Sequence, residues 1–289
     1  MKFLSSIIAM ILILSCEQKF ETDIPNIKPA LVINSLFCPD SLFRVHLSEN
    51  FSRFDDLWKG EIAENATIQL FEEGNYIQNL VYKGNGNYFS ADFKPEAGNE
   101  YKITVSSIGF DTVIASSKVP ETVPISIINS ETYSDPDDPF FEHISFRVNI
   151  DDPDTENYYY FFVNELNKKY NRPYIEIKNT FFEVNDPVIG NFRNELGATY
   201  FLFTDKSFNE NNFRFDVKSP YDLKWKMIYF NLVNLSQEMY LYLETYDRDY
   251  NSIEFIAEPV RIYSNIKGGR GIFAGYNLSR DSIYFPGNL

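Results

Sequence analysis

At 289 residues, with 44% of them hydrophobic and 17% aromatic, the chain can bury a sizeable core or fill two ordinary domains, and it lacks the composition of a disordered protein. A formal net charge of -15 at pH 7 argues against a nucleic-acid partner, because neutralising phosphates takes clustered Lys and Arg. Two cysteines, Cys16 and Cys38, and two histidines, His46 and His143, make neither a disulfide framework nor a zinc ligand set.

The chain opens with Lys2 and an apolar run from Phe3 to Leu14, broken only by Ser5 and Ser6, and then Ser15 and Cys16. A run of about a dozen apolar residues is short of the ~20 that span a bilayer as a helix. It reads as a signal peptide over residues 1–15 that ends in a lipobox-like cysteine, so the mature chain is expected to begin at a lipidated Cys16. Ile13 and Leu14 stand where the common pattern has Leu and a small residue, and the competing reading is a plain secretory leader. Residues 16–29 are polar, carry Pro25 and Pro29, and read as a tether. The acidic start Glu17-Gln18-Lys19-Phe20-Glu21 resembles the short export signals that send some Bacteroidota lipoproteins to the cell exterior. The expected location is therefore the outer membrane, lipid-anchored and facing outward.

From Ala30 the apolar period becomes two, as in half-buried strands. Phe43, Val45 and Leu47 alternate with polar residues, as do Ala66, Ile68 and Leu70, and then Tyr101, Ile103 and Val105. Gly74-Asn75 and Gly84-Asn85-Gly86-Asn87 supply turn residues that accept positive φ. The spacing predicts an immunoglobulin- or fibronectin-like sandwich over residues 30–120. The stretch Pro120 to Pro124 breaks the pattern and marks a domain boundary.

The second domain, residues 121–289, is expected to be antiparallel β with one short helix. Ile144, Phe146, Val148 and Ile150 alternate, and Tyr158 to Val163 is apolar on both faces, which suits a sheet interior or a strand under a second layer. Arg214 to Val217 and Lys226 to Val233 are further strands. Ser236 can cap a helix near 236–250, with Met239, Leu243, Tyr246 and Tyr250 at helical spacing as core packing. A glycine-rich loop leads into a last aromatic strand.

Gly269, Gly271 and Ala274 have the spacing of a dinucleotide-binding fingerprint, but no helix and no acidic residue follow at the required distance, so a sharp turn with close backbone approach is the better account. Gly268, Gly269, Arg270 and Gly271 remain a candidate functional loop. Calcium favours clustered carboxylates, and the candidate ligands are Asp151, Asp152, Asp154 and Glu156, with Asp135 to Asp138 as a second acidic turn; any such calcium is structural. His46 and His143 fall on the polar side of alternating strands, and no serine elbow or Ser-His-Asp arrangement accompanies them. Tyr158-Tyr159-Tyr160 could stack on a sugar or aromatic ligand, though a core strand accounts for it. Asp40-Ser41-Leu42, Asp111-Thr112-Val113 and Asp281-Ser282-Ile283 match a short O-glycosylation pattern of exported Bacteroidota proteins.

Several of these segments together resemble a known family. They are the lipobox, the early strand Leu31-Val32-Ile33-Asn34, and Asn157-Tyr158-Tyr159 after an Asp-Pro turn. Thr204-Asp205-Lys206-Ser207-Phe208-Asn209 and the ending Glu258-Pro259-Val260 through Ser264-Asn265 to Gly271-Ile272-Phe273 complete the set. The family is domain of unknown function forty-two forty-nine. Glu210 stands where it usually has glycine after Phe-Asn. The resemblance implies a Bacteroidota outer-membrane lipoprotein that works beside a TonB-dependent transporter, with no assigned catalytic residues. The expected function is thus a non-enzymatic accessory that binds a nutrient or caps the barrel, with no cofactor and an unknown small-molecule ligand. The alternatives are a structural or assembly protein of the envelope that binds others through sheet surfaces and, third, a hydrolase.

Overall fold

The computed structural model describes residues 29–50, 64–135, 138–168, 175–179, 182–192, 200–208, 212–219, 227–250 and 260–284. The leader, Cys16 and the tether up to residue 28 lie outside the described residues.

In the first half the period-two pattern becomes strands: β1 (Leu31–Phe37), β2 (Arg44–Glu49), β3 (Thr67–Glu72), β4 (Asn75–Asn79), β5 (Val81–Tyr82), β6 (Asn87–Phe89), β7 (Glu100–Ser106) and β8 (Val113–Lys118). Successive side chains on a strand point to opposite faces, so Val45 and Leu47, Ile68 and Leu70, and Tyr101, Ile103 and Val105 are buried while their neighbours are not. The order β1-β2-β6-β5 makes one sheet and β4-β3-β7-β8 the other. Gly84, Asn85 and Gly86 take φ of 99°, 50° and 72°, the left-handed conformations that a tight turn into β6 needs.

The second half has β9 (Ile125–Asp135), β10 (Asp138–Asp151), β11 (Tyr158–Lys168), β12 (Ile175–Asn179), β13 (Glu183–Asp186), β14 (Gly190–Phe192), β15 (Phe201–Thr204), β16 (Asn212–Ser219), β17 (Met227–Leu235), the helix α1 (Gln237–Tyr250) and β18 (Arg270–Tyr284). One sheet runs β14-β13-β16-β10-β9; the other runs β12-β11-β17-β18, with β15 on the start of β11. Aromatic rings fill the space between them. Phe161 meets Phe182 and Phe215 edge-on at 5.3 and 5.4 Å, and Phe146 meets Phe230 at 5.0 Å. The mainly β class and the capped helix match expectation: the Ser236 hydroxyl accepts the Met239 N–H at 3.3 Å. The helix stripe does not pack as core. No residue from Gln237 to Asp249 is fully buried, and Tyr246 is 46% exposed, because α1 lies over the outer face of a sheet instead of between two.

The two sandwiches share a strand. The first part of β18 pairs parallel with β1, Val32 opposite Arg270 through Phe37 opposite Gly275. The remainder pairs antiparallel with β17, Leu235 opposite Tyr276 through Met227 opposite Tyr284. A single nine-stranded sheet therefore runs through both halves. Ile266 and Phe273 belong to the first core together with Val119, and the second core starts at Val123. Phe273 is fully buried, 4.6 Å from Phe37 and 5.9 Å from Phe43. The connecting residues 119–125 are stitched to the same strand. Asn277 Nδ2 donates to the Pro120 carbonyl at 3.1 Å, Ser279 Oγ to that of Val123 at 2.6 Å, and the Ile127 N–H to the Asp281 carboxylate at 2.8 Å.

Gly271 has φ of +105°, and a Cβ there would run into the backbone of Ile33. Gly271→Ala is therefore expected to cost about 3 kcal/mol or more, from steric overlap added to strain. Gly84→Ala, with φ of +99° and nothing within 4 Å, should cost only about 1–2 kcal/mol. Urea denaturation of the two variants tests the ranking; equal losses would mean that β18 does not sit this close to β1.

Candidate functional site

The glycine-rich loop is a seam between backbones. A Cβ on Gly268, whose φ is +84°, would stand 2.8 Å from the Thr112 carbonyl oxygen, and one on Gly269 2.6 Å from that of Leu31. Lys267 bridges Ile114 on the free edge of β8, with N–H to O distances of 3.0 and 2.9 Å. The Asn265 amide donates to the Ser116 and Phe273 carbonyls at 3.0 and 2.7 Å and accepts the Phe273 N–H at 3.1 Å. Arg270 is exposed where β18 begins. The spacing shared with a nucleotide fingerprint arises from three backbones passing side by side, and β18 follows where that fingerprint needs a helix.

The acidic turn after β10 spreads its carboxylates apart. Asp151 accepts Asn149 Nδ2 at 2.7 Å, and Asp152 is buried and accepts the Tyr159 hydroxyl. Asp154 is exposed, and Glu156 faces Lys206 at 3.6 Å. Among the described residues no group of three or more His, Cys, Asp or Glu gathers as a metal site. In the second acidic turn, Pro136 and Asp137 lie outside the described residues. His46 is half-buried on β2. His143, expected on a polar face, is buried: the Tyr133 ring covers it at 5.4 Å, and its Nδ1 is 3.3 Å from the Ser219 carbonyl oxygen. Alternation told its face, but a neighbouring strand's aromatic closes over it. Cys38 is a buried free thiol 3.6 Å from the Ser41 hydroxyl.

A second set of polar residues is buried where the sandwiches meet. The Asp205 carboxylate, 1% exposed, accepts the Asn157 N–H at 2.6 Å. The Asn157 side chain accepts Asn234 Nδ2 at 3.1 Å, and that same nitrogen donates to the Glu121 carbonyl at 3.0 Å. Phe208 closes the β15 turn through its N–H to the Asp205 carbonyl at 2.8 Å and stacks on Phe213 at 3.9 Å. The set thus ties the starts of β11 and β16, the end of β17 and the connecting segment into one knot. Burial pushes the Asp205 carboxyl up from its ordinary value, against the Asn157 hydrogen bonds that pull it down.

Aromatic and polar side chains divide the outer face of the β11-β17-β18 sheet. Tyr159 of the triple tyrosine points into the core, while Tyr158 and Tyr160 point outward. Tyr158 packs on Tyr240 of α1 at 4.9 Å; Tyr160 stacks on Tyr200 at 5.0 Å, whose hydroxyl donates to Asp247 at 2.6 Å. Next to this layer Asn231 Nδ2 donates to Asn164 Oδ1 at 3.0 Å, and Asn231 Oδ1 accepts Arg280 Nε at 2.6 Å. This face is the candidate binding surface. Sequence reading missed Asn231, Asn234 and Arg280. The available signal was two asparagines inside the otherwise apolar run Met227–Leu235.

A family model described as Domain of unknown function (DUF4249) matches residues 17–282, from just beyond Cys16 to the shared strand. The chain belongs to this family. No curated protein matches it. In this DUF4249 protein the segment 204–208 has a structural meaning, since Asp205 and Phe208 hold the polar knot and an aromatic stack; Asn209 and Glu210 lie outside the described residues.

A raised folded pKa means that the native state holds the Asp205 proton more tightly than the unfolded chain does. Stability from this group is then fullest at low pH and falls as pH rises through the folded value. Asp205→Asn keeps an oxygen for the Asn157 N–H and removes the desolvated charge. Its stability relative to the parent should improve as pH rises above the ordinary carboxyl range, read as urea midpoints. A relative loss with rising pH would show that the carboxylate is favoured in the fold.

Proposed function

We propose that this DUF4249 protein is a lipid-anchored outer-membrane accessory of a TonB-dependent transporter, facing the cell exterior, which binds a solute or caps the barrel without catalysis. The observation that carries the reading is the pairing of a leader ending in Cys16 with a body that β18 makes into one continuous unit. An anchor beside a transporter raises effective concentration, and a body whose two sandwiches share a strand transmits that placement to its binding face. The residues that would otherwise suggest chemistry are engaged in the fold: Asp152 by Tyr159, Asp205 by Asn157, and His143 under Tyr133. Family membership supports the same reading through the resemblance to lipoproteins of Bacteroidota that accompany such transporters.

Affinity capture of the native protein from detergent-solubilised outer membranes, followed by mass spectrometry, should return one stoichiometric TonB-dependent barrel. Envelope assembly components in its place would move the assignment to the structural alternative, and recovery of the protein alone would overturn the accessory role. Cys16→Ala should release the protein from membranes, since each acyl methylene contributes about 0.8 kcal/mol of anchoring. Membrane pelleting that survives a carbonate wash in this variant would rule out the anchor.

A further inference from the structure

Asn231 is a polar side chain with no exposed surface in the middle of β17. Burying an amide is unfavourable unless its groups are bonded, and here every contact orients it. Its Nδ2 lies 3.0 Å from Asn164 Oδ1, 3.2 Å from the Phe162 carbonyl and 3.3 Å from the Tyr229 carbonyl. With the nitrogen so held, Oδ1 points to Arg280 and accepts its Nε at 2.6 Å. The guanidinium lies over the Tyr229 ring, 5.1 Å from the centroid. A buried, fully bonded asparagine thus fixes the orientation of an arginine that is itself exposed.

Arg214 also gives Nε alone to a buried amide, Asn149 Oδ1 at 3.2 Å, so what sets Arg280 apart is the Tyr229 ring beneath it; two further arginines of the sheet faces spend two nitrogens each. Arg147 engages Asp216 through Nε and an Nη at 2.9 and 3.0 Å, and Arg44 engages Asn87 through the same two nitrogens at 3.1 and 2.9 Å. Arg280 commits only Nε, which leaves its Nη donors for a ligand. Among the described residues no carboxylate pairs with it. The adjacent Asp281 accepts the Ile127 and Ser282 N–H groups at 2.8 and 2.7 Å. A guanidinium offers planar donors suited to two carboxylate oxygens at once. Ser282 and Tyr284, the latter 61% exposed, follow on the same face of β18. They extend the surface beyond the charge with a hydroxyl and a flat ring.

We propose that Arg280, positioned by Asn231 and backed by Tyr229, is a binding site for the carboxylate of a small organic acid whose apolar body lies along Ser282 and Tyr284. This names a ligand class for the binding role proposed above and rests on that role, although not on the identity of the transporter. The net charge of -15 does not exclude an anion, because charges beyond about 8–10 Å are screened at physiological salt, leaving the local guanidinium dominant.

The test is titration of the detergent-solubilised full chain, labelled with 15N-arginine, with sodium benzoate, sodium acetate and inorganic phosphate at constant ionic strength held with chloride. Benzoate should shift the Arg280 Nε–Hε resonance saturably, roughly 2–10-fold tighter than acetate because of the ring contact. Isothermal titration calorimetry reads the variants: Arg280→Gln should abolish benzoate binding while leaving the thermal transition in place, and Arg280→Lys, which keeps the charge but loses the fork, should weaken it roughly tenfold. The proposal falls if chloride alone reproduces the shift, if phosphate binds tighter than benzoate, if no saturable shift occurs, or if Arg280→Gln still binds. A failed titration beside a captured barrel removes only this site; a successful titration with no barrel removes only the transporter reading.

Discussion

The parallel pairing of β1 with the first part of β18 is the constraint on which the rest of the structure depends. It joins Val32 to Arg270, close to the two ends of the folded chain, so the first sandwich is not closed until the last strand arrives. Loop-closure entropy grows only logarithmically, about 0.6 kcal/mol for each doubling of length, so the separation is tolerable once Phe273 is buried between Phe37 and Phe43. The kinetic cost is larger, because contacts this distant in sequence form slowly. Parallel neighbours also need a crossover, and here the connection takes in the rest of the first sandwich and the strands β9 to β17 of the second. That is why the chain forms one body and not two beads on a linker.

The same strand explains the glycines. Gly268, Gly269, Gly271 and Gly275 each stand where the carbonyl of another segment passes too close for a Cβ. Side-chain hydrogen bonds from Asn277 and Ser279 then satisfy carbonyls of the connecting segment, which packing alone would leave buried without a partner. Ser117 adds a link from the other side, donating to Glu238 of α1 at 2.7 Å and accepting the Gly275 N–H at 3.3 Å. Helix, last strand and first sandwich are held at one point.

The surviving chemistry is on the outside. Several buried polar groups among the described residues are bonded to one another where strands begin and end: Asp205 with Asn157, Asn157 with Asn234, Asp152 with Tyr159. The outer face over β11, β17 and β18 carries a half-covered tyrosine layer and an arginine set on a buried amide. A surface of this kind suits recognition, because its polar groups are oriented before a ligand arrives and little ordering cost remains.

The strands were legible because burial on one face imposes a period of two that no other structure shares, and Phe43, Val45, Leu47, Tyr101, Ile103, Val105, Ile144, Phe146 and Val148 all follow it. The helix start was legible because Ser236 precedes the change of period, and turns such as Gly84 to Asn87 carry their own backbone chemistry. Family membership was legible in local motifs. Strand partners were not, since a hydrogen-bonded ladder leaves no mark on either strand's sequence, and β1 could have met any edge. Burial of His143 depended on where Tyr133 fell, and exposure of α1 depended on the sheet it covers. Asn231 and Arg280, distant in sequence, become a site only through the register of β17 on β18. Local periodicity therefore determined the elements from sequence alone, whereas the pairing that closes both sandwiches and assembles the candidate site was decided by tertiary packing, because it minimises exposed core and unsatisfied backbone over the whole chain at once.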